Sequence, residues 1–294
     1  MVEYGRTYKD EAEKAHRFKV FKKNIDFIER TNRATGNEKY FLAINKFADM
    51  SNEEFKAIYT RSKPMSSTTC KKISGFKYAN VTLTDLPEEI DWTKKGAVTK
   101  IKDQKDCQCC WAFCVVAAVE GIHQITTGQL LSLSEQELLD CTGIISDCTR
   151  GSKSDAFAYI INNGGIATED AYPYTAKKGS CRSVEPAVKI TNHERVPHDD
   201  EDALLAAVAH QPVAVSIEAA EKFRFYHAGV FPGKDCDSHP NHGLTVVGYG
   251  SHDKTKYWLL KNQWGESWGE NGYMRLERGT NACGIAKYAS YPVA

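Results

Sequence analysis

Along the first 60 residues the apolar and polar positions recur at helical spacing. Glu13, Arg17, Phe21, Asn24, Ile28 and Asn32 follow one another at steps of three or four residues, and at 100° per residue all six fall on one stripe of the helix surface. A stripe mixing Phe and Ile with Glu, Arg and Asn predicts a helix docked through one packed seam and specific polar pairs, rather than through a wholly apolar face. Asp49-Met50-Ser51-Asn52-Glu53-Glu54 then supplies a cap and first-turn acids for a short helix through Phe55 and Ile58. Between residues 61 and 85 the periodicity stops and Ser, Thr, Lys, Pro and Gly take over, which predicts an exposed linker open to cleavage.

After the linker, residues 110–121 are mostly Trp, Ala, Phe and Val, the composition of a helix buried on most sides. Ser134-Glu135-Gln136-Glu137 reads as an N-cap and first turn of another helix running to Cys141. From about Pro212 the texture changes to short β-rich runs at 213–217, 244–249, 257–261 and 273–276. Helices first and strands second predict an α+β body of two halves with a cleft between them. No repeats or low-complexity tracts interrupt this order.

Composition and charge narrow the function. The 294 residues are 41% hydrophobic and 26% charged, which excludes disorder as the main state. Basic and acidic side chains balance at 38 each, so overall charge gives no support for a nucleic-acid partner. Apolar stretches such as 115–119 and 244–247 fall far short of the roughly 18 residues a membrane span needs, and no membrane partner is expected. The balance hides a split. Residues 1–85 carry 17 basic and 11 acidic side chains, net +6, so residues 86–294 carry 21 and 27, net −6. Either this is chance, or a basic segment lies on an acidic body and loosens as carboxylates protonate.

Ten cysteines, nine of them between Cys107 and Cys283, favour an oxidising compartment. Zinc is the alternative, although Cys107-Gln108-Cys109-Cys110 lacks a matching second knuckle. Met1-Val2-Glu3-Tyr4 opens polar, so any secretory leader is expected to be missing from this sequence.

Two features carry chemistry. Cys110 stands at the start of the apolar helix, where the positive end of the dipole favours thiolate; taken alone it reads first as a buried structural cysteine. His242 and Asn262 lie on either side of a turn-like Ser251-His252-Asp253-Lys254, so a hairpin centred near residue 252 makes them cross-strand neighbours. An imidazole held by a side-chain amide is fixed in tautomer and orientation, as a base that activates a thiol requires.

The spacing of Cys110, His242 and Asn262 now makes the sequence resemble a papain-like cysteine protease zymogen of the plant and cathepsin L-like branch. His242 and Asn262 follow Cys110 by 132 and 152 residues, the intervals of that family. Further matching stretches are Leu86-Pro87, Asp91-Trp92, Lys95-Gly96-Ala97-Val98, Cys110-Trp111-Ala112-Phe113, Leu133-Ser134-Glu135-Gln136-Glu137-Leu138, Trp264-Gly265 and Trp268-Gly269. The helical stripe and Ala43-Ile44-Asn45-Lys46-Phe47-Ala48-Asp49, with Ala43 for the usual Gly, resemble the inhibitory pro-segment of the same family. Asn45, Phe47 and Asp49 carry that second motif.

The resemblance implies a two-lobed papain-like fold behind a mainly helical pro-domain: residues 1–85 as pro-segment with linker 61–85, and 86–294 as peptidase. The helical lobe would cover about 95–196 and the β-rich lobe about 197–294. It implies Cys110 as nucleophile, His242 as general base and acid, Asn262 as the orienting residue, Trp264 as a cover for the His–Asn bond, and Gln104 as oxyanion donor. Substrate would lie against Gln108, Arg150, Gly151, Ser152, Lys153, Ser216, Asn241, Gly243, Trp264 and Tyr288. Disulfides would join Cys107 to Cys148, Cys141 to Cys181 and Cys236 to Cys283. The implied partners are peptide or protein substrates, the chain's own pro-segment and cystatin-type inhibitors, with a monomeric enzyme, no cofactor and no metal. Secretory pathway, vacuole, lysosome or extracellular space would follow, and Asn80-Val81-Thr82 would then be a glycosylation sequon at Asn80.

Several residues depart from the family pattern. Gln108-Cys109 stands where Gly-Ser usually precedes the nucleophile, Cys114 replaces a Ser, and Arg150-Gly151 replaces Gly-Gly. Gln108 would narrow the primary subsite or strain the loop, and Cys109 could mispair with Cys148 or oxidise against Cys110. Ser152, Lys153 and Ser216, with Pro240 and Tyr288, would make the second subsite polar and cationic, favouring an acidic or polar side chain; otherwise Arg150 and Lys153 point to solvent and specificity is ordinary. The reading is an acid-activated cysteine endopeptidase. Its alternatives are a catalytically impaired relative kept for binding or storage, and a pro-segment acting in trans.

Overall fold

In the computed structural model the described residues are 4–35, 40–60, 75–143, 147–149, 151–236 and 239–294. Arg150, Cys70 and the part of the linker from 61 to 74 lie outside them.

The predicted seam is the buried side of α1 (Glu11–Thr35), where Asn24 and Ile28 are buried and Arg17, Phe21 and Asn32 half-buried. Its polar members bond away from the helix. Asn24 Nδ2 donates to Ala48 O at 2.8 Å and Met50 O at 2.9 Å. Asn32 both donates to Leu42 O and accepts from Leu42 N, and Arg17 Nη1 donates to Glu54 Oε2 at 2.8 Å while Glu13 stands 3.8 Å from Arg17 Nε. A backbone carbonyl met this way loses its water without loss of hydrogen bonding, which is why Asn can sit in a packed seam. The short helix α2 (Asn52–Tyr59) starts on a capping box between Ser51 and Glu54.

Between these helices lies an element the periodicity missed: β1 (Tyr40–Leu42), paired antiparallel with β5 (Tyr226–Phe231). Three residues are too few for an alternation signal, and pairing with a strand far along the chain has no local signature.

The remaining elements in chain order are β2 (Ile90–Asp91), α3 (Cys110–Thr127), α4 (Glu135–Cys141), α5 (Lys153–Asn162), β3 (Asn192–Arg195), α6 (Glu201–Val208), β4 (Val213–Ile217), β6 (His242–His252), β7 (Thr255–Lys261), β8 (Tyr273–Glu277) and β9 (Ser290–Val293). They form one sheet ordered β1-β5-β8-β7-β6-β4-β9-β3, with β2 added on β6 and the β5–β8 pair parallel. The α+β class is as expected, but the segregation is incomplete. Strand β3 falls within the stretch read as helical, because Asn-His-Glu-Arg is a short, polar edge strand without β-branched residues. Helix α6, capped by Asp200, falls within the β-rich stretch.

Burial resolves two cores. One is built on α3, α4 and α5, including Trp111, Leu138 and Phe157. The other fills the sheet around Phe223, Leu244 and Trp258, and includes Ile28, Tyr40, Phe47 and Phe55 from the N-terminal segment. That segment is therefore packed as part of the sheet's own core, and chiefly through apolar and hydrogen-bonded contacts. Among the described residues one ion pair, Lys46 Nζ to Asp103 Oδ2 at 2.6 Å, links residues 4–60 to the body, so the charge split is a minor contributor to docking.

Two further points add to the expectations. Residues 75–85 are mostly exposed, as expected of the linker, but Tyr78 anchors them: it is buried, stacks on His210 and donates to Gln211 Oε1 at 2.8 Å. Helix α3 has mean hydropathy 1.2 over 18 residues, long and apolar enough to cross a membrane, although Glu120 interrupts its apolar run. Its burial, 72% of that window, makes it the central helix of the body.

Candidate active site

Cys109 occupies the N-cap position of α3 without a capping side-chain bond, and Cys110 is the first helical residue, almost fully buried at the positive end of the helix dipole. Strand β6 brings His242 to it because residue 243 is glycine. A Cβ there would stand 3.1 Å from Cys110 O and 3.2 Å from Cys114 Sγ, tighter than packing tolerates. Cys110, Trp111, Lys153, Ser216, His242 and Gly243 line one small cavity.

The hairpin reverses at Asp253 and Lys254, both with positive φ, and a bulge between Val246 and Gly248 sets the register. His242 Nε2 then lies 3.0 Å from Asn262 Oδ1. A carbonyl-type oxygen only accepts, so Nε2 carries the proton and Nδ1 is left with its lone pair. Trp264 stacks on the imidazole with centroids 4.6 Å apart and is fully buried. Burial pulls the His242 pKa down to about 4 against the raising effect of the Asn262 bond, so at neutral pH the imidazole of this covered site is uncharged.

Gln104 is fully buried. Its N–H donates to Gln263 O at 2.9 Å and its Nε2 donates to Cys107 O at 2.9 Å, which leaves one side-chain N–H. Asn241 is tied into its loop, donating to Ile217 O and accepting from Ala219 N. Gly151 lies so close to the Trp111 indole that a Cβ would overlap it, 2.0 Å from Cε2. Ser152 caps α5 by accepting from Asp155 N.

Lys153 turns inward. It is 4% exposed, and its Nζ donates to Ser216 Oγ at 2.7 Å and to Tyr288 O. The solvent-facing alternative for Lys153 is thus excluded, since α5 packs against α3 and β3 with the Lys153 side chain on its buried side. Cys109 Sγ lies 3.0 Å from Tyr174 OH, and burial raises its pKa well above the ordinary thiol value. It is not paired with Cys148, which bonds Cys107; the other disulfides are Cys141–Cys181 and Cys236–Cys283. Burial likewise pushes Cys114 up to about 12.

The N-terminal segment lies over this surface. Phe47, Phe55 and Tyr59 all set their rings edge-on against Trp264, with centroids 5.6, 5.2 and 6.2 Å away. Asn45 Nδ2 donates to Arg224 O, Asp49 accepts from Tyr8 and pairs with Arg6, and Gln108 Nε2 donates to Ala57 O. Gln108 therefore holds the covering segment, beyond any effect on subsite width.

Residues 86–293 match the papain family cysteine protease domain, and residues 1–55 match the cathepsin propeptide inhibitor domain (I29). This chain belongs to the papain family of cysteine proteases. It is 49% identical over 303 residues to the senescence-specific cysteine protease SAG39 of Oryza sativa subsp. japonica, covering 100% of this chain and 88% of that protein. It is 47% identical to cysteine proteinase EP-B 1 of Hordeum vulgare, covering 98% and 81%. Among solved structures, the recombinant stem bromelain precursor superposes with a TM-score of 0.91 at 42% identity, covering 100% of this chain and 96% of that one. The protein is a cysteine protease zymogen with its inhibitory propeptide in the same chain, as the sequence reading expected.

Sequence reading missed two parts of this papain-family site. Lys102 bridges buried Glu120 and Glu135 at 3.0 and 2.7 Å, and Lys261 donates to Thr99, behind Asn262. Gln263 also lies against the site, and only its place directly after Asn262 pointed to it.

Proposed function

We propose that Cys110 is the nucleophile, His242 the general base and acid, Asn262 the residue that orients the imidazole, and Gln104 an oxyanion donor beside the Cys110 N–H. With the thiol proton on His242 Nδ1, Cys110 Sγ attacks the peptide carbonyl carbon, and the oxygen that gains the electron pair is held by those two N–H groups. The C–N bond then breaks, the amine takes the His242 proton, and a thioester remains. Water gives a proton to His242, attacks the thioester and releases the acid with the thiol restored. The observation that supports this reading most directly is the 3.0 Å approach of His242 Nε2 to Asn262 Oδ1 beside the N-terminus of α3.

In the same reading residues 1–85 are the removable propeptide and 86–294 the peptidase, with cleavage between 61 and 86. The lobes are about 95–196 and about 197–294. Gln108, Gly151, Asn241, Gly243 and Trp264 border the substrate backbone. Lys153, Ser216, Pro240 and Tyr288 form the second non-primed subsite, with Ser152 at its edge. An acidic side chain entering there gains a charge-assisted bond to Lys153 Nζ, whereas an aliphatic one leaves the ammonium against apolar surface. Three disulfides among the described residues support maturation in the secretory pathway, in vacuole, lysosome or outside the cell. Asn80, exposed in a turn, is the candidate glycosylation site. The enzyme is taken as a monomer open to cystatin-type inhibitors.

Incubation of the full chain at about pH 4–5, followed by mass analysis and a peptidyl-epoxide label, tests the assignment. Modification of Cys110 that needs His242 and follows propeptide loss is expected. A processed, folded chain whose Cys110 stays unlabelled would overturn it in favour of a binding or storage protein. For the second subsite, peptides with Glu or Asp there should be preferred by the wild type, and Lys153→Leu should reverse the preference. Equal profiles for both enzymes would reject the subsite assignment.

A further inference from the structure

Gln263 is 4% exposed and touches both halves of the machinery. Its Nε2 lies 2.8 Å from Gly243 O, 3.2 Å from Gln104 Oε1 and 3.3 Å from His242 Nε2. A side-chain amide nitrogen has two hydrogens and no acceptor capacity. Gly243 O and Gln104 Oε1 can only accept, so they take both hydrogens, and none is left for His242 Nε2. The backbone of Gln263 adds two bonds, accepting from Gln104 N at 2.9 Å and donating to Asn262 Oδ1 at 2.9 Å.

The consequence falls on Gln104. A carboxamide can be turned over by 180° with little change of shape, which exchanges its donor and acceptor ends. Here Cys107 O faces the Gln104 nitrogen and the Gln263 N–H faces the Gln104 oxygen. Turning the group over would set oxygen against oxygen and N–H against N–H. We infer that Gln263 is a positioning residue that fixes the direction of the Gln104 amide, so that its remaining N–H is preset for the oxygen that becomes negative during acyl transfer. Preset donors of this kind act because they need no reorganisation when charge develops. The inference rests on the acyl-transfer reading proposed above.

The test uses processed wild type, Gln263→Ala, Gln263→Glu, Gln104→Ala and the Gln104→Ala/Gln263→Ala double variant. Gln263→Glu keeps the shape but has no N–H to give, and it carries the test if Gln263→Ala does not fold. Three readouts separate positioning from general damage: kcat and KM on a peptide, affinity for a peptide aldehyde, and the rate of iodoacetamide alkylation at Cys110. The aldehyde adduct places a negative oxygen in the donor site, whereas alkylation places none. Both Gln263 variants should lose roughly tenfold in kcat and in aldehyde affinity, with KM and alkylation within about twofold. The double variant should match Gln104→Ala alone. Alkylation falling as far as kcat, losses that multiply in the double variant, or a fully active Gln263→Glu would each overturn the inference while the acyl-transfer reading stands. A processed wild type with no turnover would overturn both.

Discussion

The indole of Trp264 lies stacked on the imidazole of His242, centroids 4.6 Å apart and planes 30° apart. The same indole receives Phe47, Phe55 and Tyr59 of the propeptide. One side chain thus packs against the imidazole that meets Asn262 and is also the surface on which these three propeptide rings rest. Trp264→Ala should lower kcat/KM of the processed enzyme at least tenfold and weaken propeptide packing by about 3–5 kcal/mol. Activity assays and thermal unfolding of the zymogen measure the two effects; a variant that loses only one would separate the roles assigned to the indole.

Gln108 ties the cleft rim to the propeptide through Ala57 O. Gln108→Gly removes a bond with a net worth of about 0.5–1.5 kcal/mol. The zymogen should then convert about two- to tenfold faster at a fixed acid pH, read by gel or mass time course. An unchanged time course would mean that this contact does not restrain the propeptide.

Arg224 of the body is fully buried beneath the propeptide, donating to Met50 O at 2.9 Å and Asn24 Oδ1 at 3.1 Å. Burial lowers its guanidinium to about 10, so it still holds its charge at neutral pH. Arg224→Ala should destabilise the zymogen by about 1.5–3 kcal/mol, the worth of bonds from a charged donor. The processed enzyme, which lacks both partners, should change by less than about 0.5 kcal/mol. Equal losses in the two forms would contradict this.

Acid acts on the covered site through His242 and Glu54. The folded pKa of His242, about 4, is below its ordinary 6.5 because of burial. Stability linked to neutral His242 is therefore complete above about pH 6.5 and is lost as pH falls toward 4, by up to about 3 kcal/mol. Burial raises the Glu54 carboxyl, but the Ser51 N–H and Arg17 outweigh it and hold the pKa below its ordinary value. Its contribution is present above that value and is lost at still lower pH. Zymogen melting temperatures between pH 7 and 4 should fall more steeply in wild type than in His242→Gln. Parallel curves would remove His242 from the acid response.

Some of this molecule was legible residue by residue. The α1 stripe, the Ser51 and Ser134 caps and the runs that became β4, β6, β7 and β8 carry a pattern within a few residues, so spacing alone reports them. The hairpin that joins His242 to Asn262 is also local enough to predict. Strands β1 and β3 were not, because a short strand acquires its meaning from a partner far away in sequence, β5 for β1 and β9 for β3.

By itself, then, the sequence determined the family, those helices and strands that carry a local pattern, and the residue types available for acyl transfer, since each depends on local pattern or on motif identity. The tertiary structure alone decided that Lys153 faces inward to Ser216 and Tyr288 O, that Gln108 grips Ala57, and that Gln263 meets Gln104, Gly243 and His242 at once. Each of these joins segments far apart in the chain. Where such a side chain points is set by how whole elements pack and by the need to pair every buried polar group, a condition that no short window of sequence contains.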